Sequence, residues 1–139
     1  MGQITIAVTL RNAREVVMAR LGHLSPAHVH TYETAALIDT GTMRSVLPPA
    51  VADALGLVRL YRTAAQMADG HWGEVDVTEA VELTLVAGIS RVTQVPMLVM
   101  GERVLLGATV LEDLDLLVDC ARQRLVPNVG TWDQPVFRV

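Results

Sequence analysis

The chain has 139 residues, 51% hydrophobic and 19% charged, which predicts a single folded domain over residues 1–139 rather than a disordered segment. Its net charge is −4 and its basic residues are scattered, so neither a nucleic-acid surface nor a nucleic-acid partner is expected. The single cysteine, Cys120, excludes an internal disulfide framework. No apolar run is long enough to span a bilayer and no signal peptide is recognisable, so we expect a cytoplasmic protein without a membrane partner.

Residues typical of β-strands dominate the first half of the chain. Their pattern predicts strands over Ile4–Leu10, Glu15–Ala19 and Glu33–Ile38, with a turn joining the first two. Proline is tolerated at the first position of a helix and glycine often ends one. Because prolines precede Ala50 and Gly56 follows Leu55, we predict a short helix over Pro49–Leu55.

The middle of the chain is predicted to form a hairpin followed by a return strand. Strands over Val58–Met67 and Glu74–Val86 flank the dipeptide Asp69-Gly70, which is typical of tight hairpin turns. The return strand is predicted over Val92–Met100, with Pro96 weakening it or placing it at a sheet edge.

The last part of the chain adds a short helix and a final hairpin. After a short apolar strand over Val104–Gly107, Thr109 is predicted to cap a helix over Val110–Leu114. Leu116–Asp119 and Arg124–Val126 are predicted to pair as a hairpin. The expected class is therefore all-β with one or two short helices.

A carboxylate stands at the end of a predicted buried strand, in the stretch AALIDTGT of residues 35–42. Asp39-Thr40-Gly41, preceded by Ala36-Leu37-Ile38 and followed by Val46-Leu47-Pro48, resembles the active-site loop of retropepsin-like aspartic proteases. The triplet alone is weak evidence, but the following parts keep the order of that family. A hairpin tip at Asp69-Gly70 comes next, and then the apolar-apolar-glycine segment Leu105–Gly107.

The resemblance covers roughly residues 33–127 and fits a single-lobe member. Leu116–Asp119 and Arg124–Pro127 resemble the endings of bacterial members of the family. The resemblance implies a retropepsin-like acid protease barrel that works as a homodimer. It also implies an aspartic endopeptidase that acts on a peptide or protein substrate without a cofactor or a metal.

The catalytic residues implied by the resemblance are Asp39, Thr40 and Gly41. Aspartic proteases use two carboxylates that share one proton, and this chain has only one such motif. A twofold dimer would bring Asp39 of two copies together at the axis. Thr40 would then hydrogen-bond across the dimer, and Gly41 would let backbone approach the carboxylate closely.

The substrate-binding residues implied by the resemblance are Thr42 and four residues of a flap over Gln66–Gly73. The four flap residues are Ala68, Asp69, Gly70 and Trp72. The flap would close over an extended peptide and exclude water. The Thr42 hydroxyl is predicted to donate to the outer oxygen of the Asp39 carboxylate, which would favour the charged form.

Two positions depart from the retroviral pattern, and other segments are assigned supporting roles. Where retroviral members pair an Asp with an Arg, this chain has Met43 and Ala108, so both partners of the ion pair are absent together. Val46, Leu47 and Leu106 are expected to back the active loop. The terminal segments Ile4–Leu10 and Trp132–Val139 are candidates for a dimer sheet.

Two alternatives remain open at this point, and two more are disfavoured. The same fold could serve as a dimerisation or peptide-binding module with little turnover, or Asp39 could cap nearby N–H groups in a monomer. Asp39-Thr40-Gly41-Thr42 also resembles the phosphorylated motif of ion pumps, but the lysine of that motif is missing. A metal site formed by His23, His28, His30 and Glu33 is disfavoured, because spacing alone underdetermines such a site.

Overall fold

The computed structural model describes residues 3–86, 91–128 and 135–137, which contain eleven β-strands, three α-helices and a short 3-10 helix. The strands are β1 (Thr5–Asn12), β2 (Thr31–Ile38), β3 (Val46–Leu47), β4 (Arg59–Gln66), β5 (Trp72–Thr78), β6 (Val81–Leu85), β7 (Val92–Val95), β8 (Leu98–Val99), β9 (Leu105–Leu106), β10 (Leu116–Asp119) and β11 (Arg124–Pro127). The helices are α1 (Ala13–Arg20), α2 (Pro49–Ala54) and α3 (Ala108–Asp113), and the 3-10 helix is Pro26–His28. Within these residues no helix is both long and apolar enough to cross a bilayer.

Nine strands form one mixed sheet in the order β4-β5-β8-β3-β9-β2-β1-β6-β7, and β10 pairs separately with β11. β1 lies inside the sheet because it pairs antiparallel with both β2 and β6. Two short pairs, β2 with β9 and β3 with β8, are parallel. In the first of these pairs Ile38 lies opposite Leu106, which fixes the place where the chain leaves β2.

One aliphatic core lies against this sheet and is closed by the helices. Leu10 of β1 and Leu83 of β6 are fully buried, as is Leu47 of β3. Val110 of α3 and the adjoining Leu114 join the same cluster. Burying a side chain of this size contributes about 1.5–3 kcal/mol. No Phe or Trp of the described residues belongs to the core, in keeping with the 4% aromatic content of the chain.

The strand predicted over Glu15–Ala19 is wrong, because these residues lie in helix α1. Asn12 caps the helix, since its side-chain oxygen accepts a hydrogen bond from the Glu15 backbone amide at 3.2 Å. Glu15 in the first turn and Arg20 in the last turn complement the helix dipole. The adjacent Val16 and Val17 favoured a strand by propensity, but only Val16 is buried. The cap and the charge pattern outweigh that propensity.

Two predicted strands are each divided in the structure. The segment Glu74–Val86 forms β5 and β6, which are separated at Glu79 and Ala80. The Glu79 carboxylate accepts the Val58 backbone amide at 2.7 Å and binds the Arg14 guanidinium, so this break is held by specific contacts. The segment Val92–Met100 forms β7 and β8, which are interrupted at Pro96, where no backbone N–H is available.

The remaining boundaries agree with the predictions to within a few residues, and this includes the boundaries of α3. This helix begins at Ala108 with Gly107 as its cap and without a side-chain capping bond, so the capping role predicted for Thr109 is wrong. The final hairpin pairs Asp119 with Arg124, as predicted.

The two terminal segments predicted to form a dimer sheet have different outcomes. Residues 8–10 have β2 on one side and β6 on the other, so this part of Ile4–Leu10 has no free edge for a partner strand. The candidate is therefore wrong for residues 8–10, and for the residues before them it stays a prediction. Of Trp132–Val139, residues 132–134 and 138–139 lie outside the described residues.

Candidate active site

Asp39 stands at the carboxyl end of β2, on a loop whose backbone is fixed by several hydrogen bonds. Its backbone amide donates to the Leu106 carbonyl at 3.0 Å, which continues the parallel pairing of β2 with β9. Its side-chain Oδ1 accepts the Gly41 amide at 3.0 Å. Asp39 is half-buried, and its carboxylate is oriented by its own loop.

Gly107 packs directly under this loop. Its amide donates to the Oγ atom of Ser45 at 3.0 Å, and Ser45 is almost fully buried. A Cβ atom on residue 107 would lie 2.8 Å from the carbonyl oxygens of both Met43 and Arg44. Only glycine allows this approach without a shift of the backbone.

Main-chain hydrogen bonds join the loop to the start of α3 where retroviral members have an ion pair. The Ala108 amide donates to the Thr42 carbonyl at 2.8 Å, and the Thr109 amide donates to the Met43 carbonyl at 3.3 Å. The loop and α3 therefore stay connected through their main chains, although Met43 and Ala108 provide no ion pair.

The hydrogen bond predicted between Thr42 and the Asp39 carboxylate is not formed. The Thr42 hydroxyl donates instead to the Arg44 carbonyl at 3.2 Å. A hydroxyl has only one proton to donate. In this structure the Thr42 hydroxyl therefore stabilises the loop and does not hydrogen-bond to the Asp39 carboxylate. The close approach predicted at Gly41 is present, since a Cβ atom there would lie 3.2 Å from Asp39 Oδ1.

Strands β4 and β5 form the predicted hairpin, with its tip at residues 67–71. The Met67 amide donates to the His71 carbonyl at 2.8 Å, and Gly70 has a φ of +90°, as the turn requires. The Asp69 carboxylate accepts the His71 amide at 3.1 Å and also pairs with the His71 ring. Ala68 is exposed, and Trp72 is 67% exposed beside the tip.

Two grooves flank the loop that carries Asp39, each with a volume of about 330 Å³. The flap groove lies between this loop and β4; it is lined by Thr42, Met43, Arg44, Tyr61, Thr63, Ala64, Ala65, Gln66, Val77, Pro96 and Leu98. The acid groove is lined by Gln3, Ile4, Leu37, Ile38, Asp39, Thr40, Val118, Cys120 and Gln123. Among the described residues that line either groove, Asp39 is the only one with a carboxylate.

The structure thus places the predicted site residues in three locations: the acid groove, the flap groove and the hairpin tip. Asp39 and Thr40 line the acid groove, whereas Thr42 lines the flap groove. The four predicted flap residues, Ala68, Asp69, Gly70 and Trp72, line neither groove. The sequence analysis missed Tyr61 and Arg44 of the flap groove. Period-two alternation along β4 could have indicated Tyr61, because alternate residues of a strand share one face.

His30, one of the four residues considered as metal ligands, has a different partner. Its backbone amide donates to Glu15 Oε1 at 3.0 Å, and its ring Nδ1 lies 2.8 Å from the same oxygen. Burial raises the pKa of Glu15, but these hydrogen bonds outweigh it and leave the pKa below its usual value. The part of the chain that the structure describes has no cluster of three or more His, Cys, Asp or Glu side chains placed to hold a metal.

Comparison with known proteins connects this geometry to a family. The family model described as "gag-polyprotein putative aspartyl protease" matches residues 25–113, which include Asp39, Thr40, Gly41 and Gly107. Among solved structures, EIAV protease in complex with the inhibitor HBY-793 matches with a TM-score of 0.54 and 22% sequence identity, covering 81% of this chain and 88% of that one. None of the curated proteins compared gives a significant match. The predicted retropepsin-like fold is thereby confirmed.

Proposed function

The chain belongs to the retroviral-type aspartyl protease family, and from that membership we propose that it is an aspartic endopeptidase active as a homodimer. One observation carries the proposal. Asp39 directly follows β2 at the position of the family's loop, and no second carboxylate of the described residues lines either groove beside it. Because the chemistry needs two carboxylates, a second copy of the chain must supply the other one.

In the proposed dimer the two Asp39 carboxylates meet at the twofold axis and share one proton. The ionised acid activates a water molecule, and the protonated acid polarises the scissile carbonyl of the peptide. Neutral peptide bonds are hydrolysed in this way without a metal ion.

Thr40 and Gly41 have supporting roles in this arrangement. Thr40 is exposed, and within the described residues its hydroxyl has no hydrogen-bond partner, which leaves it available to bond across the dimer. Gly41 donates its amide to the carboxylate and keeps the space above it open. Both features orient the acid before a substrate binds, which is what a preorganised site requires.

The substrate is proposed to be an extended peptide that lies between the loop and the hairpin. β4 is the terminal strand of the nine-stranded sheet, so its outer main-chain edge has no partner strand among the described residues. A peptide can add to such an edge through backbone hydrogen bonds, while side-chain pockets provide selectivity. Movement of the hairpin tip over the peptide would bring Trp72 to the substrate and exclude water.

Covalent dimers with one or two intact acids test the proposal. Two copies joined by a flexible linker are compared with the same linked dimer carrying Asp39→Asn in one half or in both. Cleavage of denatured casein, and its inhibition by pepstatin, are measured for each. We expect activity only when both acids are present. The asparagine amide has nearly the same shape as the aspartate carboxylate, but it cannot share the proton. Asp53→Asn, at an exposed acid of α2, is the matched control.

The outcomes separate catalysis from the alternative function. Cleavage that persists in pure protein with Asp39→Asn in both halves would overturn the dyad. A tightly dimeric wild-type protein, shown by sedimentation, that cleaves no denatured substrate across pH 3–7 would favour the binding module. Loss of cleavage with dimer mass retained would support the endopeptidase.

A further inference from the structure

The flap groove carries a single charged side chain, and it is positive. Among the described residues that line this groove, Arg44 is the only one whose side chain is charged at neutral pH. The others have aliphatic, thioether, aromatic, hydroxyl or amide side chains. A cation at the wall of an otherwise uncharged groove attracts an anionic group in whatever binds there.

Arg44 also differs from most other arginines of the chain. Six described arginines pair with carboxylates: Arg11, Arg14, Arg59, Arg62, Arg122 and Arg124. Within the part of the chain that the structure describes, the Arg44 guanidinium has no hydrogen bond or ion pair. Its five N–H donors are therefore available to a ligand in the fork geometry that suits a carboxylate.

The backbone beneath this side chain is fixed, although the side chain is exposed. The Arg44 carbonyl accepts the Thr42 hydroxyl at 3.2 Å, and Gly107 packs against it at a distance that leaves no room for a Cβ atom. The origin of the side chain thus lies five residues after Asp39 on a loop that is held on both sides. A cation placed in this way acts at a defined distance from the catalytic acid.

From this placement we infer that the protease selects peptides with an aspartate or glutamate side chain at the subsite beside Arg44. The inference rests on the proposed function, because it assigns the flap groove to substrate. In a twofold dimer each protomer presents its own Arg44, one on each side of the Asp39 pair. The acidic preference is therefore expected at two substrate positions, one on each side of the scissile bond.

The experiment uses the full-length dimer and a defined library of extended peptides. Cleavage sites are mapped by mass spectrometry, and the best peptide is then resynthesised with Glu replaced by Gln at each selected position. Because an exposed ion pair of this kind changes an equilibrium by up to about fivefold, we expect kcat/KM to favour Glu over Gln about threefold to fivefold. The Glu/Gln ratio should fall towards one in Arg44→Ala and below one in Arg44→Glu, because the introduced carboxylate repels the Glu side chain of the peptide.

A binding measurement makes the result independent of turnover. The same library is selected on immobilised Asp39→Asn protein with and without Arg44→Ala. Arg20→Ala is the matched control, since Arg20 lines a separate groove near α1 and should leave the Glu/Gln ratio as in the wild type. Raising the salt concentration should reduce the preference of the wild type.

The two proposals fail in different ways. Acidic enrichment in binding without any cleavage by the wild type would overturn the endopeptidase and support the role of Arg44. Cleavage or binding that shows no acidic preference, or a preference unchanged in Arg44→Ala, would overturn the role of Arg44 and leave the dyad standing.

Discussion

Replacing Gly107 with alanine tests how the loop that carries Asp39 is held in place. A Cβ atom there would lie 2.8 Å from the carbonyl oxygens of Met43 and Arg44, whereas ordinary contacts of a Cβ atom begin at 3.4 Å. The φ of Gly107 is −86°, so alanine adopts the backbone conformation without strain and the effect is steric. The obstructing atoms belong to the main chain, so they cannot move aside as a flexible side chain would.

The magnitude follows from two terms. Overpacking of this kind costs about 1–3 kcal/mol. Displacing the loop also weakens the hydrogen bond from the Gly107 amide to Ser45 Oγ, which is 3.0 Å long and worth about 0.5–1.5 kcal/mol. Together they predict a loss of about 2–4 kcal/mol of unfolding free energy. For a chain of this size the melting temperature should fall by roughly 5–15 °C.

The assay combines urea unfolding at a fixed protein concentration with cleavage of denatured casein. Gly22→Ala is the control, because a Cβ atom there meets nothing within 4 Å while its φ of +81° disfavours alanine. Both variants should lose stability, but only Gly107→Ala should lower kcat at a temperature where both are folded. A Gly107→Ala protein with wild-type stability and kcat would refute the reasoning.

Three further predictions concern other elements. Asn12→Ala should cost about 2–4 kcal/mol in urea unfolding, because the buried Asn12 caps α1 and donates to the Leu55 carbonyl at 3.0 Å. Burial raises the pKa of Glu79, but its hydrogen bonds with Arg14 and a backbone amide lower it by more. The Glu79 carboxylate therefore stabilises the fold above its unfolded pKa, and this contribution is lost as pH falls through the folded pKa. Glu79→Gln should thus be less stable than the wild type at pH 7, with the difference shrinking below about pH 4.5 in urea titrations. Trp72→Ala should leave the melting temperature nearly unchanged, because Trp72 is 67% exposed, and should raise KM for peptides.

Each of these predictions has an outcome that contradicts it. Wild-type stability of Asn12→Ala would show that neither the cap nor the hydrogen bond to the Leu55 carbonyl contributes. A stability difference for Glu79→Gln that does not change between pH 7 and pH 3 would remove the ion pair as its cause. A large fall in melting temperature for Trp72→Ala would show that the indole packs in the fold rather than on substrate.

Local chemistry explains which predictions from sequence were confirmed. The turn at Asp69-Gly70 and the helix after Pro48 depend on neighbouring residues, and both are found in the structure. The strand predicted over Glu15–Ala19 failed because two adjacent valines were given more weight than a capping asparagine. The bond predicted from Thr42 to Asp39 failed for another reason, since a competing carbonyl two residues away receives the hydroxyl proton.

The sequence alone determined the family motif and the mostly β class, because both depend on residue types and their order. The second carboxylate from a partner copy stays a prediction. Only the tertiary structure decided that Gly107 packs under the Asp39 loop, although 68 positions separate the two residues. It also decided that Arg44 faces a groove without a carboxylate. Contacts between distant segments depend on how the strands are ordered in the sheet, and local propensities carry no information about that order.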